Sequence, residues 1–307
     1  MLLLECFLLT PYKIYMKKTI LLFGMLGLTG CAGPRYAEQS ATTLIDHGDY
    51  TVDTSYPSQS QNERVRFLIF HYTAVDDNES LRLLTQGSVS AHYLVPTNHT
   101  EIRGKPVILQ LVPENKRAWH AGVSSWAGRN NINDTSIGIE IVNDGFHEGP
   151  TGKQWITYHK KQTALAAALA RDIIARYHIK PQNVLAHSDI APLRKSDPGP
   201  RFPWYELAKR GVGAWPDDAT LKKHLQRKHR CSSGSVALIQ QALGTYGYTI
   251  PQTGTLDQET LRVISAFQMH FRPSNCTGAA DKETEAIAKA LVEKYCHSTG
   301  LLNDIST

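Results

Sequence analysis

Ser136-Ile137-Gly138-Ile139-Glu140-Ile141-Val142 alternates: Ile137, Ile139 and Ile141 face one way, and Gly138 and Glu140 face the other. That period of two predicts a strand with one apolar face and a carboxylate on the opposite one. Working outward, Val65–Phe70 is an almost unbroken apolar run, read as a buried strand that delivers His71 at its end. Ser90–Val95 and Val107–Val112 read as two more strands, and Val184–Ala186 as a short one carrying His187. Between them, Asn78–Gln86 predicts a short helix. Trp155–Tyr177 predicts a long one, with Ala, Leu and Ile recurring at helical spacing and Lys160, Lys161 and Arg171 on its polar side. Pro181 closes the turn after it, and the Pro/Gly-rich run Asp197–Pro203 precedes a helix from Trp204. The prediction is an α/β domain over residues 62–213, a mixed central β-sheet flanked by helices.

The texture changes near Trp215-Pro216. Val236–Tyr246, Asp257–Phe271 and Asp281–Tyr295 predict a small helical domain over 218–296, followed by a tail, 297–307. At the other end, Lys17-Lys18, an apolar run from Thr19 to Leu28 and then Leu28-Thr29-Gly30-Cys31 read as an export signal over 16–31. The apolar run is shorter than the ~20 residues a membrane-spanning helix needs. Met16 restarts the frame directly before the lysines, so residues 1–15 read as an upstream extension. The polar, aperiodic stretch 32–61 reads as a tether.

Of 307 residues, 41% are hydrophobic and 20% charged, ordinary for a soluble globular chain. The net charge of +5 is mild, and with no nucleic-acid-binding motif that class is set aside. Cys231, Cys276 and Cys296 lie in the C-terminal third; an exported chain permits disulfides, and one of three single bridges or none remains open.

His71, His187 and Asp197 are candidate metal ligands, because two imidazoles and a carboxylate suit zinc and leave one position for water. Glu140 is then free to act as a base on that water. Any one of these alone carries little weight in a chain with 13 histidines, and spacing by itself leaves a satisfied core or surface role open. Delivery at strand ends strengthens the metal reading, since α/β folds place ligands there.

The motifs go further. Phe70-His71-Tyr72-Thr73-Ala74, Ser90-Ala91-His92-Tyr93-Leu94-Val95, Ala118-Trp119-His120-Ala121-Gly122, Asn133–Glu140 and Ala186–Pro192 with Lys195-Ser196-Asp197-Pro198-Gly199 resemble the zinc-dependent N-acetylmuramoyl-L-alanine amidases of the type-2 class. The resemblance spans the whole α/β domain. It implies one zinc ion on His71, His187 and Asp197, Glu140 as general base, and Lys195 stabilising the oxyanion, against a solvated loop lysine as the plain alternative. The bond implied is the amide between the lactyl group of N-acetylmuramic acid, or its anhydro form, and L-alanine of the stem peptide. Trp119 and His120, with Tyr72 and Arg194 by proximity in sequence, are expected to line the substrate groove. His92 is expected to be structural. Gly254–Thr260 with Val263–Gln268 resembles the three-helix peptidoglycan-binding domain of wall hydrolases, with a plain packing domain as the alternative.

Leu28–Cys31 resembles the lipobox of bacterial lipoproteins. This implies lipidation at Cys31 and, with Ala32 next, sorting to the outer membrane facing the periplasm of a Gram-negative cell. The expected partners are peptidoglycan or muropeptides and that membrane, with the chain a monomer. Two other functions stay open at this stage. One is a non-catalytic peptidoglycan recognition module. The other is a zinc peptidase that cuts within the stem peptide.

Overall fold

Five strands share one sheet: β1 (Phe67–Tyr72), β2 (Tyr93–Val95), β3 (Leu109–Gln110), β4 (Ser136–Ile141) and β5 (Val184–Ala186), in the spatial order β5-β1-β4-β2-β3. The first three pairings are parallel, and β3 closes the edge antiparallel to β2. The computed structural model describes residues 43–150, 152–226 and 235–296. Cys31 and the lipobox, the upstream extension, Cys231 and the 297–307 tail lie outside the described residues.

The chain divides after Gln61 into two units. In the first, where composition predicted an irregular tether, Leu44–Asp46 pairs antiparallel with Thr51–Asp53. The turn between them is made by Gly48, at φ +86°, whose N–H donates to the Asp46 carboxylate at 2.8 Å.

Leu68, Ile69 and Phe70 are completely buried, as their apolar run demands, each contributing ~1.5–3 kcal/mol of burial. Alternation splits the strands between two cores. Leu68 and Phe70 of β1 and the three isoleucines of β4 join the core under α2 (Lys160–Tyr177) and α4 (Trp204–Lys209). Phe67 and Ile69 join a second core with residues of the C-terminal helices. Helix α2 lays Gln162, Ala166, Ala167, Ala170 and Ile173 on one buried face. Gln162 Nε2 donates to the carbonyls of Val95 and Val142 at 3.1 and 2.8 Å, tying the helix to the ends of β2 and β4.

The helix begins five residues later than the sequence predicted. Gly152–Trp155 pairs instead with Phe146–Gly149 in a hairpin, with Gly149 opposite Gly152 at its turn. Phe146 and Trp155 meet across it at 5.1 Å, with Lys153 Nζ 3.9 Å from the Phe146 ring centre. A glycine-flanked turn plus a cross-strand aromatic pair outweighs helix propensity here. The expected strand Val107–Val112 shrinks to β3, because the Leu111 and Val112 N–H groups both donate to the His92 carbonyl, which ends regular pairing. Helix α1 (Asp77–Gln86) starts one residue early, capped by Asp76, whose carboxylate accepts from Glu79 N–H at 2.9 Å.

The C-terminal segment holds α5 (Asp218–Gln226), α6 (Val236–Tyr246), α7 (Gln258–Phe271) and α8 (Lys282–Tyr295). One device occurs twice in it. Gln240 accepts from Gly254 N–H and donates to Thr260 Oγ1, and Gln268 does the same with Gly278 and Thr284. In each case the threonine lies three residues after an aspartate cap, Asp257 or Asp281. Each buried glutamine thus clamps a loop onto the first turn of the next helix. Cys276 is a free thiol, and Cys296 Sγ lies 3.6 Å from the Thr245 carbonyl.

Candidate metal centre

The sheet brings the candidate residues together from four places in the sequence. His71 and Glu140 are register partners on adjacent parallel strands. β5 ends at Ala186 and hands the chain to α3 (His187–Ile190), a single turn that begins with His187. Asp197 returns to it because Ser188 N–H donates to the Asp197 carbonyl at 3.0 Å. His71, His187 and Asp197 are all buried.

Their atoms converge. His71 Nδ1 lies 3.0 Å from His187 Nδ1 and 3.1 Å from Asp197 Oδ2, and His187 Nδ1 lies 3.0 Å from that same oxygen. The surrounding hydrogen bonds decide where the protons are. Ser136 Oγ donates to the Ile132 carbonyl at 2.7 Å, so at 3.1 Å from His120 Nε2 it accepts, and Nε2 carries the His120 proton. His120 Nδ1 is then bare and accepts from His71 Nε2 at 3.0 Å, leaving His71 Nδ1 bare in turn. His187 Nε2 faces the Ala121 carbonyl at 3.1 Å, which can only accept, and the Arg194 Nη2 3.3 Å away has both its protons on the Ala121 and Val123 carbonyls, so Nε2 carries the proton and His187 Nδ1 is bare as well. Burial, reinforced by His187, holds the His71 imidazole neutral down to about pH 4.

Two imidazole lone pairs and a carboxylate oxygen therefore face one another at hydrogen-bond distance with no proton to share. A divalent cation at their centre resolves that repulsion, and the residues fit one.

The centre opens into a cleft of about 410 Å³. Tyr72, Trp119, His120, Glu140, Arg194 and Lys195 all line it, with His187 and Asp197. Glu140 Oε2 is buried without a protein partner. Burial, with Asp197 adding and Lys195 opposing, pushes the Glu140 carboxyl up to about 8. Trp119 is 56% exposed at the rim, with the Arg117 guanidinium 4.1 Å from its ring centre. Tyr72 Oη sits 3.4 Å from Ser196 Oγ. Arg194 lines the cleft but is already engaged: it donates to the carbonyls of Ala121 and Val123. Its guanidinium holds the 121–123 segment that supports His187.

His120 differs from a plain groove residue, since it lines the cleft and also fixes the His71 ring. Gly138 makes room for it. A Cβ there would stand 2.5 Å from His120 Cγ. Sequence reasoning missed this link and the parts played by Ser136 and the Ala121 carbonyl. The available signal was a glycine in the middle of a strand, which marks close approach of another group. His92 bonds backbone on both nitrogens, at Lys116 O and Gly138 N–H.

Residues 61–200 match the family model for N-acetylmuramoyl-L-alanine amidase, and residues 232–287 match a peptidoglycan-binding domain model. The chain is 47% identical over 268 residues to the N-acetylmuramoyl-L-alanine amidase AmiD of Escherichia coli, covering 87% of this chain and 94% of that protein. It is 44% identical over 116 residues to the 1,6-anhydro-N-acetylmuramyl-L-alanine amidase AmpD of Salmonella typhimurium, covering 38% and 54% respectively. Among solved structures, AmiD from E. coli in complex with anhydro-N-acetylmuramic acid-L-Ala-D-gamma-Glu-L-Lys superposes with a TM-score of 0.78 at 48% identity, covering 82% of this chain and 98% of that one. AmpDh3 from Pseudomonas aeruginosa superposes with a TM-score of 0.70 at 43% identity, over the same shares of the two chains. The α/β sheet with its buried His-His-Asp cluster and the helical segment behind it are matched together, and the chain belongs to the N-acetylmuramoyl-L-alanine amidase family.

Proposed function

We propose that this chain binds one zinc ion through His71, His187 and Asp197 and hydrolyses the amide between N-acetylmuramic acid, ordinary or anhydro, and L-alanine of the stem peptide. The observation that carries this reading is the triangle of unprotonated ligand atoms beside Glu140, whose Oε2 is buried without a protein partner. Bound there, zinc supplies Lewis-acid polarisation of the scissile carbonyl and acidifies a water.

The chain's own groups do the rest. Glu140 takes a proton from the attacking water as its oxygen adds to the carbonyl carbon. Burial and the neighbouring Asp197 raise this carboxyl above the ordinary carboxylate range, which makes it a stronger base than a solvated glutamate and a group able to hand the proton on. Lys195, on the cleft wall, places positive charge near the oxygen that becomes negative, an effect of about 3 kcal/mol in comparable sites. Glu140 then passes its proton to the departing alanine nitrogen as the C–N bond breaks. The lactyl group leaves as a carboxylic acid and the peptide as a free amine. Trp119 offers an exposed aromatic face to the sugar or peptide at the rim, and Tyr72 and Arg194 complete the wall.

The setting belongs to the same proposal. Lipidation at Cys31 anchors the protein to the outer membrane, facing the periplasm, where peptidoglycan is within reach of a monomer. The AmiD relative, whose structure holds an anhydromuramyl tripeptide, supports both the substrate class and the anhydro form. The C-terminal helical segment, of which residues 232–287 match a peptidoglycan-binding model, adds contact with the wall polymer. Among the described residues no helix is long and apolar enough to cross a membrane.

Metal analysis of the purified chain together with assay of Glu140→Gln tests the reading. One equivalent of zinc per chain, with Glu140→Gln still metallated but at least ~1,000-fold slower, is the expected outcome. A metal-free wild-type chain without activity would favour a recognition module instead.

A further inference from the structure

Two of the three converging ligand residues, and Lys195, come from one short segment, 187–197. What holds that segment comes from the C-terminal helices. Asp189, buried two residues beyond His187, accepts from Ala186 N–H at 2.7 Å with Oδ2. The same oxygen lies 2.7 Å from His270 Nδ1 on α7, and Oδ1 accepts from Tyr248 Oη at 2.6 Å. The His270 ring is stacked between Trp204 at 3.7 Å and Phe271 at 3.9 Å, so its reach to Asp189 is fixed. Further along, Arg262 Nη1 donates to the Leu193 carbonyl at 2.8 Å.

The grip extends to a short hairpin in which Ser125-Trp126 pairs with Arg129-Asn130. Ala127 N–H donates to the Gly247 carbonyl at 2.8 Å, Ser125 Oγ meets Thr249 Oγ1 at 2.8 Å, and Trp126 packs on Tyr248 at 4.8 Å. That hairpin follows directly on the Ala121–Val123 carbonyls that accept from His187 and Arg194.

We propose that the helical module is a brace for the metal centre, and that Tyr248, His270 and Arg262 are positioning residues acting through the 187–197 segment. This rests on the metal reading above. A surface-packing module needs no buried carboxylate of the catalytic segment; here Asp189 spends both its oxygens on the module and on its own turn. Because coupling between two sites is reciprocal, metal binding at His187 and Asp197 must also tighten α7.

The test uses the full chain. Zinc affinity is measured by chelator competition for wild type, Tyr248→Phe, His270→Asn and Arg262→Ala. Amide hydrogen exchange of 258–271 is followed with and without zinc. Zinc binding about tenfold weaker in Tyr248→Phe and His270→Asn is expected, the range seen when outer partners of metal ligands are lost. In the wild type, zinc slows exchange across α7, and each substitution diminishes that slowing. Arg262 is on the surface, so Arg262→Ala keeps the test available if a buried variant does not fold. Equal zinc affinity in all folded variants, or α7 exchange indifferent to zinc, overturns the brace alone. A wild-type chain that binds no zinc overturns the brace and the metal reading together.

Discussion

Adding one methyl group at Gly138 tests the proton arrangement at the centre. An alanine Cβ there would stand 2.5 Å from His120 Cγ and 2.7 Å from both Cδ2 and Nδ1. Carbon atoms pack at about 3.5–4 Å, so the ring must retreat by roughly 1 Å. It is held on opposite nitrogens by contacts of 3.0 Å to His71 and 3.1 Å to Ser136, and a shift of that size breaks at least one of them. His71 then loses the partner that keeps its Nδ1 bare. We expect zinc affinity to fall about 10–100-fold. Overpacking costs ~1–3 kcal/mol, and Tm falls by several degrees, at about 2–4 °C per kcal/mol for a chain of this size. Chelator competition and thermal unfolding read the two effects separately. A double-mutant cycle isolates the cause: with the ring removed in His120→Ala, the further change Gly138→Ala adds little. Gly138→Ala protein with wild-type zinc affinity and wild-type Tm would refute the reasoning.

Three further substitutions separate binding, chemistry and stability. Trp119→Ala removes a side chain that is 56% exposed, so Tm stays nearly unchanged while KM for muropeptides rises several-fold. Lys195→Met lowers kcat by about 100–1,000-fold with little change in KM, as steady-state kinetics with saturating zinc will show. Glu114 is the place to look for acid sensitivity. Burial works to raise its carboxyl, but bonds from Arg176, Tyr93 and Tyr177 outweigh it and hold it at about 2 against an ordinary 4.5. A depressed carboxyl contributes stability that is complete above pH 4.5 and is lost as pH falls toward 2. Glu114→Gln therefore costs about 1–2 kcal/mol at neutral pH, discounted for the half-exposed Arg176, and flattens the stability profile in that window.

Much of the centre was legible because strand alternation makes it so. Ile137, Ile139 and Ile141 read as one face and Glu140 as the other; the parallel register that sets Glu140 beside His71 is a pairing between distant segments that the structure supplies. Helices α6, α7 and α8 were legible within a residue, because their apolar spacing and the aspartates Asp257 and Asp281 mark where they start, whereas α5 was not bounded. What sequence could not convey were contacts between distant segments. Nothing local to His120 says that its ring sits against Gly138, 18 positions away in sequence, or that Asp189 answers to Tyr248 and His270. The Trp155 region misread for a related reason. Its alanine-rich continuation has helical spacing, but the partner that draws Trp155 into a hairpin is Phe146, across a turn.

The central claim is that a metal-dependent centre cuts one particular amide. Mass spectrometry of purified muropeptides incubated with the chain, with and without chelator, addresses it most directly. Chelator-sensitive release of intact stem peptides that begin at L-alanine, leaving sugars free of alanine, is the expected result. Cleavage within the stem peptide, or release unaffected by a chelator that demonstrably strips the metal, would contradict it.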